Sequence, residues 1–299
     1  MYLVQTGLLR RYARHALLRT LKIDPITIEF DSVSQLPVVD YGSRSGVFIG
    51  RRFNPVHIAL YACRALHLQN ITGPIHLPEL PETSNCEYVE RATNWLISNE
   101  TQSDNNISIW NYDFPWPDYD LTTPWRCALA EAFGALVLLS TGHKDRARRH
   151  IEAILTDYRQ SGVSYIGRKT FFPLEYVSEE KVLVLNGILH CLLILGHCGL
   201  ILKDDALNRA FEIGYGSVKS RLQDFDAGFY TFYDSLRKPA DEKYHKIQIE
   251  LLQIMYRYTD DTDLPPLIAR WSKYLPTYAF AEPVAIFRYL VERALTRSN

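Results

Sequence analysis

At 299 residues and 47% hydrophobic content, the chain can bury a substantial core, either as one large domain or as two unequal ones. A formal net charge of −1 and a pI near 6.8 lack the basic footprint of a nucleic-acid-binding protein, while leaving room for a local basic groove around an acidic ligand. Cys63, Cys86, Cys127, Cys191 and Cys198 are odd in number and contain no Cys-x-x-Cys pair, which argues against a disulfide framework and for a reducing compartment.

The first predicted element is a helix over residues 8–22. It carries Arg10, Arg11, Arg14, Arg19 and Lys22 and meets no acid before Asp24. Such a helix either docks by its leucines with its arginines in water, or lies on an anionic membrane surface as a peripheral contact. No run of about 18 uninterrupted apolar residues follows, so no transmembrane segment is expected. With no signal peptide recognisable, the expected location is the cytoplasm, with peripheral membrane contact through residues 8–22. Residues 26–30 alternate as a strand does, and Val47-Phe48-Ile49 reads as a second one. Residues 1–50 thus form a small N-terminal unit, a basic helix with short strands.

From Asn54-Pro55 onward helical periodicity dominates, with Pro at a first helical position. Helices are predicted near 55–69, 86–99, 122–141, 144–160, 181–202, 204–223, 243–258, 262–274 and 281–296, with breaks such as Gly142 and Pro265-Pro266 between them. Short connections imply antiparallel hairpins. The predicted fold is therefore mainly α: an incomplete (α/α) toroid of helical hairpins over residues 51–299, with the small β element before it. Cys191, Cys198, His190 and His197 share one apolar helix without a further ligand cluster, so they read as core residues and no metal is expected.

Two loops are chemically rich. Residues 110–125 hold Trp110, Tyr112, Phe114, Trp116, Tyr119 and Trp125. Aromatics this dense either form a platform for sugar rings, through Trp116 and Trp125, or wedge a proline-rich loop onto the core. Residues 165–180 hold Glu175-Tyr176, followed by Leu185-Asn186-Gly187. Tyrosines and a carboxylate just outside helices can build a dry proton-transfer site.

With these segments in hand, the chain resembles the D-glucuronyl C5-epimerase family in its C-terminal helical domain. Asn54-Pro55-Val56 is similar to the run that opens a helix there. Residues 125–134 are similar to a Trp-initiated helix, Glu175-Tyr176 with Leu185-Asn186-Gly187 to a third motif, residues 228–234 to Gly-x-x-x-Tyr-Asp, and residues 244–252 to a Tyr-His motif. The chain departs from the family where Gln-Gly-Gln is Glu131-Ala132-Phe133, where a Tyr is Arg126, where a His is Gln248 and a Gln is Leu251, and where an Arg after Tyr-Asp sits one residue on, at Arg237.

The resemblance implies inversion at C5 of D-glucuronate residues, to L-iduronate, in a heparosan-like acidic polysaccharide. Tyr176, Tyr233 and Tyr244 would be the catalytic tyrosines, with Glu175 in the same set. Arg237 would clamp the sugar carboxylate in bidentate fashion, with Arg126 and Arg168 as weaker clamps; His245 and Asn186 would contact sugar or order the site. Proton transfer of this kind needs no cofactor. Two other readings remain open: a polysaccharide lyase sharing the first step, and a non-catalytic glycan-binding helical module, motivated by Glu131, Phe133 and Gln248.

Overall fold

The computed structural model describes residues 26–278 apart from 75–76, 80–83 and 103–106, together with 281–282, 284–287 and 289. The predicted basic helix at 8–22 and much of the predicted helix at 281–296 lie outside the described residues. The described chain is mainly helical with small sheets. Strands β1 (Thr27–Phe30), β2 (Pro37–Asp40) and β5 (Arg51–Phe53) form one antiparallel sheet in the order β1-β2-β5. The second expected strand pairs elsewhere: β4 (Val47–Phe48) folds back on β3 (Ser43–Arg44). Ser45 and Gly46 between them have φ of 49° and 83°, the left-handed geometry that closes a two-residue hairpin.

Helix α1 (Pro55–Ala65) is capped by Asn54, whose Oδ1 accepts from the Val56 N–H at 2.8 Å, and Pro55 stands where no amide is needed. It is followed by the short α2 (Gln69–Thr72), α3 (Asn85–Ser98) and α4 (Ala128–Ser140). Next come α5 (Lys144–Leu155), α6 (Leu185–Leu202), α7 (Asp205–Lys219), α8 (Glu242–Thr259) and α9 (Leu264–Ser272). Two of these start later than periodicity predicts. The chain before α4 stays extended because Trp125 exchanges backbone hydrogen bonds with Tyr112, and that before α6 because Val184 bridges to Asp234. Two pairs of short strands, β6 (Thr101–Gln102) with β7 (Ser108–Ile109) and β8 (Ser164–Ile166) with β9 (Phe171–Pro173), were not expected; each is too short for alternation to register.

The helices pack as pairs, α1 with α3, α4 with α5, α6 with α7 and α8 with α9, while α1, α4, α6 and α8 contact one another in succession. Sequence explains which member lies inside. Every residue of α4 from Ala128 to Leu139 is buried, whereas α5 buries only a stripe of Ala147, His150, Ile151, Ala153 and Ile154. Helix α6 has a mean hydropathy of 1.9 and would be long enough to cross a bilayer, but 78% of it is buried within the protein, so it is a core helix here. Gly134 lets α4 approach Trp110, whose ring carbons would lie 2.3 Å from any added Cβ. The segments that lead into α4, α6 and α8, with the first turns of α6 and α8, carry the expected site residues.

Candidate active site

Backbone hydrogen bonds stitch the segments before these helices together. Ala128 N donates to Leu174 O (2.9 Å), Val177 N to Arg126 O (3.3 Å), Leu185 N to Tyr233 O (3.2 Å) and Ser235 N to Leu183 O (2.9 Å). Residues far apart in sequence are thereby fixed side by side: Trp125 from one loop, Glu175 and Tyr176 from the next, Tyr233 and Asp234 from the third.

Two phenol–carboxylate pairs result. The Tyr233 hydroxyl donates to Glu175 Oε1 at 2.8 Å, and the Tyr119 hydroxyl donates to Asp234 Oδ2 at 2.7 Å. Asp234 Oδ1 accepts from the backbone N–H groups of Leu236 and Lys238, which pins the turn that follows. The Tyr176 ring joins the pairs. It stacks on Tyr119 with centroids 4.3 Å apart, lies parallel to Trp116 at 6.5 Å and tilts against Trp125 at 6.0 Å. Tyr244, at the start of α8, meets the Tyr233 ring edge-on at 4.8 Å. Glu175 and all three expected catalytic tyrosines therefore converge.

Glu175 is the electrostatic centre. Burial pushes its carboxyl up to about 7, while the phenols of Tyr233 and Tyr176 and the charge of Lys238 pull it back and Asp234 pushes it further up. Its Oε2 is buried without a hydrogen bond of normal geometry among the described residues. That oxygen lies against the first turn of α6, where an added Cβ on Gly187 would come within 2.6 Å of it. The glycine of the Leu-Asn-Gly motif is thus the space a carboxylate needs. Asn186, beside it, is buried with its Oδ1 unbonded among the described residues. Burial drives Tyr176, Tyr233 and Tyr119 well above the ordinary phenol range, and Tyr244 also upward. At neutral pH these phenols hold their protons and Glu175 is the group poised to take one.

Lys238 brings a cation to the Tyr119 and Tyr233 rings, while Lys243 lies over Tyr244 at 5.8 Å and Arg44 over Trp116 at 5.9 Å. The Lys238 Nζ lies 5.5 Å from the Tyr119 ring, 5.6 Å from the Tyr233 ring and 3.5 Å from Asp118 Oδ2. Arg237, the expected carboxylate clamp, is exposed, has φ of +62° and holds its guanidinium over the Phe232 ring at 5.9 Å. Arg126 is turned aside, donating to Tyr158 O at 3.2 Å, and Arg168 is exposed in the turn between β8 and β9. His245 faces the core. It meets Thr231 Oγ1 at 2.8 Å and Trp271 O at 3.1 Å, stacks on Tyr278, and is pushed down to about 4 by burial. One residue along a helix is about 100° of rotation, enough to send Tyr244 to the site and His245 away from it.

The aromatic loop is both wedge and wall. Trp110, Phe114 and Tyr112 are buried, Tyr112 stacks on Trp125 at 3.9 Å, and the Trp125 indole N–H donates to Phe114 O at 2.6 Å. Trp116 reaches Tyr176 with its indole N–H buried and unbonded among the described residues. Sequence reasoning missed Tyr119, Asp234 and Lys238 as site members. Tyr119 lies 115 residues from Asp234, and only their shared placement at the site joins them.

The three departures Glu131, Phe133 and Gln248 are satisfied away from the phenols. Glu131 Oε2 pairs with His150 Nδ1 at 2.6 Å, Phe133 lies beside the His190 ring, and Gln248 bonds Thr231 and Phe232 O.

This scaffold is a helical domain whose loops bring a buried carboxyl and several phenols together. The family model for the D-glucuronyl C5-epimerase C-terminus matches residues 103–273, more than half of the chain, and the chain belongs to that family through this domain. It is also 26% identical over 271 residues to an uncharacterized protein of Methanocaldococcus jannaschii, across 83% of this chain and 85% of that protein. Membership of an epimerase family makes an enzyme the reading for the domain.

Proposed function

We propose that this chain inverts C5 of D-glucuronate residues in a heparosan-like polysaccharide, giving L-iduronate, and that its helix pairs form an incomplete (α/α) toroid around the site. The carrying observation is Glu175: a buried carboxyl near 7 with one oxygen bonded to Tyr233 and the other unbonded among the described residues, ringed by protonated phenols.

A C5 hydrogen is acidic only if the adjacent carboxylate accepts the electron pair as an enediolate. Ionised Glu175 takes the proton on one face, and the pair moves into the carboxylate, where Lys238 offsets the growing charge. A phenol, Tyr176 or Tyr244, returns a proton to the other face. Trp116 and Tyr119 support Tyr176 by stacking. Glu175 then releases its proton to solvent and the phenol regains one from solvent, so C5 hydrogen exchanges with heavy water.

The test is incubation with a panel of uronate polymers in heavy water. Deuterium at C5 with unchanged chain length supports the proposal. An unsaturated, ultraviolet-absorbing product with shortened chains would select the lyase reading instead, and absence of exchange on every polymer would overturn both.

A further inference from the structure

We propose that His150, clasped between Glu131 and Glu100, is a positioning residue that fastens the root of the aromatic loop, and that loss of a proton from this clasp loosens the Trp116–Trp125 wall of the site. The functional consequence rests on the reading of that wall as sugar-facing; the structural one does not.

The clasp is tight and directional. His150 Nδ1 lies 2.6 Å from Glu131 Oε2 and Nε2 lies 3.2 Å from Glu100 Oε2. The imidazole is fully buried and stacks on the Trp110 indole, with centroids 3.6 Å apart and planes 2° from parallel. Glu131 Oε1 accepts from the Trp110 backbone N–H at 2.9 Å, and the Trp110 indole N–H donates to Leu96 O at 2.8 Å. Trp110 is thus held by a ring stack, a backbone bond and a side-chain bond. From Trp110 the chain runs directly into Tyr112, which stacks on Trp125, and on to Trp116 and Tyr119 against Tyr176.

Hydrogen-bond accounting makes the clasp protonation-dependent. Both ring nitrogens face carboxylate oxygens. A neutral imidazole has one N–H, so a second proton must reside on the ring or on a carboxyl to make both bonds. The charged neighbours are Glu131 from α4, Glu100 from the segment after α3, Arg146 and Arg149 on α5, and Arg126, whose charge acts on Glu131. Arg146 pairs with Glu100, and Arg149 lies 3.6 Å from the same carboxylate. The two carboxylates hold His150 above the ordinary histidine range although burial opposes it, and burial holds Glu131 above the carboxylate range. Both shifts favour the form in which the second proton is bound, and that proton is lost as pH rises.

Glu131→Gln isolates this property without emptying the core. The amide oxygen still accepts from Trp110 N–H, the amide nitrogen donates to Nδ1, and neutral His150 donates through Nε2 to Glu100; no second proton is needed. The experiment compares E131Q with its parent, both carrying Glu175→Gln so that the active-site carboxylate does not titrate. It follows the His150 ring and the Trp125 indole N–H by NMR, and binding of a heparosan oligosaccharide, across pH. The parent should show the His150 and Trp125 signals moving with one midpoint, with affinity falling about tenfold on its alkaline side, the scale of one charge-assisted hydrogen bond. E131Q should bind as the parent does on the acid side of that midpoint and lack the step. A step that persists in E131Q, or a His150 titration that leaves the Trp125 indole unmoved, overturns the proposal. If no oligosaccharide binds at any pH, the functional reading fails while the indole titration still decides this one.

Discussion

Two buried carboxylates on the same scaffold are treated in opposite ways. Glu131 has both oxygens engaged, one by Trp110 N–H and one by His150, whose second nitrogen meets Glu100. Glu175 has one oxygen bonded to Tyr233 and the other unbonded among the described residues, beside a glycine that leaves it room. The first arrangement spends its charge on holding a loop; the second keeps a carboxyl near 7, able to give or take a proton. Burial alone therefore does not mark a catalytic acid. What separates the two is how completely the rest of the fold answers the charge.

The contrast is broken most directly at Glu175. Glu175→Gln should lower C5 exchange by about a thousandfold or more, because an amide accepts no proton. It should also stabilise the protein. A carboxyl raised from its usual value to about 7 favours the fold fully only below its unfolded pKa and loses that contribution as pH rises through 7. Thermal melts at pH 8 should place E175Q roughly 1–3 kcal/mol above wild type, an order-of-magnitude figure from the shift. A destabilised E175Q would mean that Glu175 is a structural carboxylate after all.

At the other pole, His150→Ala should cost about 3–5 kcal/mol in denaturant unfolding, since it removes the partner of the buried Glu131 carboxylate. A loss under 1 kcal/mol would show the clasp to be weak. Tyr233→Phe should reduce exchange about a hundredfold and shift the acid limb of the pH–rate profile upward, because the phenol that lowers the Glu175 carboxyl is gone. The smallest effect compares neighbours: Lys238→Met should reduce exchange about tenfold and Arg237→Met less than about twofold. The reverse order would return the clamp to Arg237.

Much of this site was legible in the sequence because its members stand at fixed spacing near helix starts. Glu175, Tyr176, Asn186, Gly187, Tyr233 and Tyr244 all sit where short motifs place them, and the structure gives Gly187 its reason in the Glu175 carboxylate. Helix existence was equally legible, since α5 and α7 bury one stripe and α4 and α6 are apolar all round. What failed was information held by pairing across distance. The starts of α4 and α6 moved because Trp125 and Val184 found partners in other loops. Arg237 and Lys238 are adjacent, and only the turn pinned by Asp234 decides which one faces Tyr119 and Tyr233. Glu131 stood out as a departure from the family pattern, but its explanation lies on α5, at His150.

The measurement closest to the central claim is the pH dependence of C5 deuterium uptake into a glucuronate polymer, run with wild type and E175Q side by side. Wild type should gain rate as pH rises through about 7, as Glu175 ionises, and E175Q should stay near background at every pH. Equal uptake by the two proteins would contradict the account.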